Sequence, residues 1–158
     1  MERRDLLSLG GMAAIAGAFA TAMEAQEVAH AGGGRVLRIY ADADGNSLIE
    51  ELPIATKAGR INMAKTVPLT GMNYAEYKKT EVEDWHRTPA RQFSISLSGE
   101  IEVEVSGGKK HAIHAGDIVF LEDLQGKGHI TRILTPVNNV FLRVADGFDV
   151  VAWSRGEA

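Results

Sequence analysis

The sequence contains no cysteine among its 158 residues. Disulfide bonds, thiolate nucleophiles and zinc sites built on thiolates are therefore excluded. A chain without cysteine folds equally well in oxidising and reducing surroundings, so this absence leaves the compartment open. The chain also lacks a run of lysine and arginine, and its net charge is −4. The charge argues against a nucleic-acid partner.

Long helical patterns and internal repeats are also missing. Instead, 17 glycines punctuate short apolar or alternating segments, and 45% of residues are hydrophobic, enough for a core. The predicted strands are residues 36–40, 47–54, 61–69, 92–98, 101–105, 109–113, 118–121, 129–134, 138–144 and 150–153. Residues 74–80 fit either a strand or an exposed turn of helix, and residues 81–84 are predicted to form a loop. Eight to ten short strands predict a single all-β sandwich or barrel.

The first thirty-one residues have the pattern of an export signal. Arg3 and Arg4 precede an apolar run without charge, residues 6–22, which is short for a membrane span and suits the core of a signal peptide. The paired arginines resemble a twin-arginine signal. We therefore assign residues 1–31 to a signal peptide and junction, and residues 35–153 to the folded domain. The alternative is a helix buried in the fold. The expected location is the periplasm or the exterior, with no membrane partner for the mature form.

The segment Asp42-Ala43-Asp44-Gly45-Asn46 predicts a hairpin turn. Its acidic residues also suggest a calcium loop. The EF-hand pattern, however, needs glycine at position 6 and glutamate at position 12, and this segment has glycine at position 4 and Pro53 at position 12. The turn is the preferred interpretation.

The clearest strand, residues 92–98, alternates strictly and places Gln92, Ser94 and Ser96 on one face. A face of small polar side chains leaves room for a ligand, although a solvated face is the simpler alternative. His86 and His129 stand far apart in sequence, each near the start of a strand, with hairpins between them. In a small barrel this arrangement can bring both imidazoles onto one inner wall.

These residues give the chain a resemblance to the cupin superfamily. Its two motifs have the forms G-x5-H-x-H-x3,4-E-x6-G and G-x5-P-x-G-x2-H-x3-N. Here His86 matches the first histidine, Gln92 takes the glutamate position and Gly99 closes the first motif. Gly116 opens the second motif and His129 supplies its histidine. The resemblance implies a small single-domain cupin, with an all-β barrel of the jelly-roll type.

The chain departs from the cupin motifs at several positions within residues 67–144, the part that the resemblance covers well. Thr88 replaces the second histidine, and the neutral Gln92 replaces the acidic ligand. Residues 123–126 stand where the second motif has Pro-x-Gly, and Ile133 stands in place of its asparagine. The usual set of three histidines and one glutamate is thus reduced.

The resemblance implies a metal site formed by His86, Gln92 and His129. Manganese, iron, nickel and zinc all remain open as the divalent ion. Without a metal, the two histidines would act as acid and base or donate hydrogen bonds to a ligand. Residues expected near a bound small molecule are Thr88, Ser94, Ser96, Asp123 and Lys127. Arg87 and Arg91 flank the site and are either anion ligands or surface charges.

Three functions follow from this interpretation. The first is an exported, metal-dependent enzyme of oxygenase, lyase or isomerase type that acts on a small organic substrate, its catalytic residues unassigned. The second is a non-catalytic cupin that binds a small molecule without metal. The third is a structural role with a collapsed pocket. The resemblance also implies a homodimer, since open sheet edges near the N-terminal strands need cover.

Overall fold

The computed structural model describes residues 34–157, so the predicted signal segment 1–31 lies outside the described residues. Ten strands and one short helix run from Arg35 to Ser154. The strands are β1 (Arg35–Ala41), β2 (Ser47–Pro53), β3 (Leu69–Tyr77), β4 (Val82–His86), β5 (Gln92–Ser98), β6 (Glu100–Glu104), β7 (Lys110–His114), β8 (Ile118–Glu122), β9 (His129–Ile133) and β10 (Val137–Val144). The helix is α1 (Val150–Ser154), and it is too short to span a membrane. The fold class is confirmed: the described chain is an all-β barrel of the jelly-roll type.

The strands form two sheets. The six-stranded sheet has the order β2-β1-β8-β5-β10-β3, and the four-stranded sheet has the order β4-β9-β6-β7. Neighbouring strands are antiparallel except β1 and β8, which run parallel. Strands β2 and β3 are therefore the edges of the larger sheet, and β4 and β7 are the edges of the smaller one.

Alternation along the central strands produces two hydrophobic clusters. Leu37 in β1 and Val119 in β8 point between the sheets and belong to the inner cluster. Val36 and Phe120, their neighbours in sequence, point to the opposite face and belong to an outer cluster. Helix α1 covers this outer face and contributes Val150 and Trp153 to it. The six-stranded sheet is thus buried on both sides near its centre.

Residues 150–153 are helical, so their prediction as a strand was wrong. The Asp149 side chain accepts hydrogen bonds from the backbone N–H groups of Val151 and Ala152 and caps the helix N-terminus. The apolar run that suggested a strand is explained by its burial against the outer cluster. A short buried helix and a short buried strand carry the same composition, which is why the pattern misled.

Two other segments differ from expectation. Residues 81–84, predicted as a loop, mostly belong to β4, because their backbone pairs with β9 in the four-stranded sheet. Residues 61–69 were predicted as extended, but only Leu69 belongs to a strand, as the first residue of β3. The undecided segment 74–80 supplies the end of β3 and the turn after it. An exposed edge strand tolerates polar residues on both faces, so β4 has no alternating pattern.

The hairpin turn predicted at residues 42–46 is confirmed between β1 and β2. The Asp42 side chain accepts hydrogen bonds from the backbone N–H groups of Asp44 and Asn46, both at 2.9 Å. Gly45 then touches the corner before β9, where its carbonyl accepts a hydrogen bond from the Lys127 N–H. The turn therefore supports the corner that delivers His129.

Candidate functional site

A cavity of about 250 Å³ lies between the two sheets and is lined by side chains from both. The six-stranded sheet contributes Gln92 and Ser94, and the four-stranded sheet contributes His86, His129 and Thr131. Apolar side chains of the inner cluster form much of the remaining wall. These are Ile39, Ile101, Val103, Ile113, Val119, Leu121, Ile133 and Phe141.

His86 and His129 are neighbours across the pairing of β4 with β9. Their ring centroids are 4.4 Å apart, with an angle of 57° between the ring planes. Gly128 makes this approach possible, because it has φ +77° and a Cβ atom there would clash with the carbonyl group of His86. Glycine is thus required at this corner by its positive φ and by the close approach of the β4 backbone.

The hydrogen bonds of the two imidazoles fix which nitrogen atoms remain available. His86 Nδ1 donates to the backbone carbonyl of Asp84 at 2.8 Å, since a carbonyl oxygen can only accept. His129 Nδ1 donates to Asp123 Oδ2 at 2.6 Å. Each neutral ring therefore keeps the lone pair of Nε2 for another partner. His86 Nε2 lies 3.6 Å from Glu83 Oε2, which also lines the cavity.

Thr88, Asp123 and His129 form a buried chain of hydrogen bonds. Thr88 Oγ1 donates to Asp123 Oδ1 at 2.5 Å, and His129 occupies the other carboxylate oxygen. Asp123 has no exposed surface and is not among the residues that line the cavity. The structure thus places this predicted ligand-binding residue behind His129, where it orients the imidazole. Thr88 is both a hydrogen-bond donor to Asp123 and part of the cavity wall.

The predicted polar face of β5 is buried, not solvated. Gln92 and Ser94 line the cavity. Ser96 lies beyond the lining and donates to Asn139 Oδ1 at 3.2 Å. Asn139 Nδ2 donates to Ser94 Oγ at 2.9 Å. The serines are therefore largely satisfied by Asn139 of the adjacent strand β10.

Lys127 lies outside the cavity lining. Its side chain is exposed, and its Nζ lies 3.5 Å from the centroid of the Trp85 ring, within the range of a cation–π contact. Arg91 also points elsewhere: its Nε lies 3.1 Å from Glu122 Oε2, but at an angle that makes no hydrogen bond. Arg87 is exposed and does not line the cavity.

The cavity also contains polar residues that the sequence interpretation missed. They are Asn73, Tyr77, Glu83, Thr131, Asn139 and Arg143. Burial, followed by the negative charges of Glu83 and Glu81, raises the pKa of Tyr77, so its phenol stays a hydrogen-bond donor throughout the neutral range. Alternation along β10 places residues 139, 141 and 143 on one face, and that signal was available in the sequence.

The donor atoms in the cavity lining form a small set for a metal ion. Within residues 34–157, no group of three or more histidine, cysteine, aspartate or glutamate side chains is arranged to hold one. The residues that fit are the two imidazoles, which offer Nε2 lone pairs, and the Gln92 amide oxygen on the facing sheet. This set is compatible with a divalent metal, which it would bind more weakly than three imidazoles and a carboxylate do.

Comparison with known proteins gives limited matches in sequence. No protein-family model matches the chain. A curated relative, oryzines biosynthesis cluster protein J of Aspergillus oryzae, is 36% identical over 61 residues. That match covers 39% of this chain and 32% of the relative, so the chain spans about a third of the relative's length.

Several solved structures resemble the barrel. A cupin-2 domain containing protein from Shewanella frigidimarina has TM-score 0.38 and 10% identity, over 54% of this chain and 85% of its own. A cupin 2 conserved barrel domain protein from Salinispora arenicola has TM-score 0.35 and 21% identity, and the match covers 54% of this chain and 67% of that protein. A putative ethanolamine utilization protein from Salmonella typhimurium has TM-score 0.35 and 11% identity, and the match covers 73% of this chain and 99% of that protein.

Proposed function

We propose that this protein is a cupin-type barrel that holds a small organic molecule in the cavity between its two sheets. The observation that carries the proposal is the pair formed by His86 and His129. Both imidazoles line the cavity, and both have Nδ1 engaged by an acceptor, which leaves Nε2 for a ligand. The match to a protein named for a biosynthesis cluster agrees with a small organic ligand.

We further propose that His86, Gln92 and His129 bind a divalent ion of manganese, iron, nickel or zinc. The buried contact between Asp123 and His129 supports this, because a carboxylate that accepts the Nδ1 proton makes Nε2 a stronger electron-pair donor, as it does behind many metal ligands. A metal held by three neutral ligands keeps its full charge and acts as a Lewis acid on a bound substrate. An oxygenase, lyase or isomerase reaction would use such a centre.

The chain's own residues would position the substrate. Thr88 and Asp123 hold the His129 ring in one orientation, so its Nε2 stays directed at one place. Tyr77 keeps its phenolic proton and can donate it to a bound oxygen atom. The apolar wall excludes water from the rest of the cavity.

A second candidate is metal-free binding of the small molecule without catalysis. The small donor set of the cavity lining favours it, because the described residues include no group of three or more histidine, cysteine, aspartate or glutamate side chains arranged to hold a metal. In that case His86 and His129 act as hydrogen-bonding groups toward the ligand. Asp123 then fixes the tautomer of His129 instead of tuning a metal ligand.

Metal content separates the two candidates. The full-length protein should be purified without chelators or affinity tags, and metal per chain should be measured by elemental mass spectrometry. His86→Ala is the test variant. His111→Ala is the matched control, because His111 lies on β7 outside the cavity lining. Near-stoichiometric metal that is lost in His86→Ala and kept in His111→Ala supports the metal site. A folded, metal-free protein supports the second candidate.

Export through the twin-arginine route is also proposed. Arg3 and Arg4 carry it, and both lie outside the described residues. Replacing both with lysine should retain the protein in the cytoplasm, because that route reads the arginine pair and the general route needs only positive charge. Export of the lysine variant at the normal level, measured by cell fractionation, would contradict the twin-arginine assignment.

A homodimer is proposed through β3, an edge strand of the six-stranded sheet. Leu69, Met72 and Tyr74 are exposed along this strand. An edge strand of nine residues that exposes three large apolar or aromatic side chains promotes aggregation unless it is covered. A second copy of the same edge covers it through a two-fold axis, since antiparallel strands are self-complementary.

A further inference from the structure

The cavity has a polar mouth and an apolar interior. The mouth is formed by lining residues that solvent reaches, namely Asn73, Glu83, His86 and Arg143. The interior is formed by lining residues that are buried and apolar, namely Ile101, Val103, Ile113, Val119 and Ile133. A ligand that fills the cavity therefore has one polar end and one apolar end.

Besides the two histidines, two side chains of the cavity lining can carry a charge, Glu83 and Arg143. Glu83 already faces His86, with Oε2 3.6 Å from Nε2. Arg143 has no carboxylate within 4 Å among residues 34–157. It is the cross-strand neighbour of Gln92, so its side chain shares the cavity face of the sheet with the proposed metal ligand. Within the described part of the chain, the cavity that holds the two histidines thus also presents a guanidinium without a carboxylate partner.

The buried polar atoms of the interior require nothing from a ligand. Asn139 is fully buried, and its amide group is engaged by the hydroxyls of Ser94 and Ser96. A buried polar group that is already hydrogen-bonded gains little from a polar ligand atom. The interior therefore selects an apolar body rather than a sugar or a nucleotide.

We propose that the ligand is a small monocarboxylic acid whose carboxylate binds Arg143 and whose aliphatic or phenyl body fills the interior. A guanidinium offers two parallel N–H groups that match the two oxygens of a carboxylate. The volume of about 250 Å³ has room for a body of the size of a pentyl or phenyl group. This inference rests on the proposed ligand-binding function and does not require the metal.

Isothermal titration calorimetry with simple probes tests both halves of the proposal. Hexanoate is compared with hexanamide, which has the same shape and no charge. Hexanoate should bind about tenfold more tightly or better, because a hydrogen bond to a charged group contributes more than a neutral one. In the series from propanoate to hexanoate, affinity should rise about fourfold per methylene until the cavity is filled.

Arg143→Gln is the test variant, and Arg60→Gln is its matched control, an exposed arginine outside the cavity lining. Arg143→Gln should remove the preference for hexanoate over hexanamide, and Arg60→Gln should keep it. Equal affinity of the two probes for the parent protein would overturn the carboxylate assignment while leaving the cavity a ligand site. Failure of both probes to bind would overturn the inference, while the proposed function, which admits other small organic ligands, would stand. The titrations are made on metal-free protein, because a divalent ion bound in the cavity would itself attract a carboxylate.

Discussion

Replacing His129 with alanine should destabilise the protein far more than replacing His86, although both histidines line the same cavity. His129 is buried, and its imidazole is one of two groups that hydrogen-bond to the buried Asp123 carboxylate. Without it, the carboxylate keeps only the Thr88 hydroxyl. Removing a hydrogen-bond donor from a buried carboxylate costs about 3 kcal/mol or more, because the carboxylate charge is then poorly solvated.

The His86 imidazole has a different environment. About a third of its side chain is exposed (34%), and its Nδ1 bonds to a backbone carbonyl that water can reach after truncation. We expect His86→Ala to cost about 1 kcal/mol. Urea unfolding, followed by the fluorescence of the buried Trp153 and by circular dichroism, gives both free energies of unfolding.

A double-mutant cycle isolates the contact between Asp123 and His129. Asp123→Ala removes the buried charge, so adding His129→Ala should then cost about 1–3 kcal/mol less than it does in the parent protein. Equal losses for the two histidine variants, or an additive cycle, would refute the reasoning that a buried carboxylate depends on this imidazole. The result also bears on function, because a loss of activity in His129→Ala would be partly a loss of fold. His86→Ala is the cleaner probe of the site.

Three further outcomes are expected. Gly128→Ala should destabilise by about 2 kcal/mol or more, because alanine is strained at positive φ and its Cβ meets the His86 carbonyl; unchanged urea unfolding would contradict this. Glu83→Gln should lower the raised pKa of Tyr77 toward its usual value, seen in an ultraviolet titration. Because that pKa is raised in the folded state, its contribution to stability is present below the unfolded pKa and lost as the pH rises further. Met72→Lys should convert the proposed homodimer to a monomer in size-exclusion chromatography with light scattering, and a dimer that persists would exclude the β3 edge.

The barrel was predictable because polar and apolar residues alternate along its central strands. The pattern of residues 92–98 predicts a strand with Gln92 and Phe93 on opposite faces, and β5 places Gln92 in the cavity and Phe93 in the outer cluster. The sequence places both histidines near the start of a strand. His129 does open β9, whereas His86 ends β4, and the antiparallel pairing of these strands makes the two histidines cross-strand neighbours. Period-two patterns specify faces well because one wrong register would expose every apolar residue.

The features that the sequence did not predict depend on contacts with residues that are distant in the chain. Helix α1 is apolar because it covers the outer cluster, and nothing local distinguished it from a strand except the capping Asp149. Asp123 looked like a ligand-binding residue because it precedes His129 closely. Whether its carboxylate faced the cavity or the wall behind the imidazole depended on Thr88, a contact across 35 positions of the chain. Arg143 was missed although alternation places it on the same face as Asn139, because only the pairing of β10 with β5 shows that this face lines the cavity.

The proposed site spans both sheets, so its geometry is a property of the whole barrel. His86 and His129 belong to the four-stranded sheet, and Gln92 and Arg143 belong to the six-stranded one. Asp123 follows β8 of the larger sheet, and His129 belongs to β9 of the smaller sheet. The buried hydrogen bond between these two residues therefore joins the two sheets beside the cavity. A substitution in the inner cluster that changes the spacing of the sheets therefore alters the distance between the histidines and Arg143 without touching either. For this reason, a variant that loses binding must be compared with a distant core variant of equal stability. Only if the core variant binds normally does the loss identify a residue that contacts the ligand.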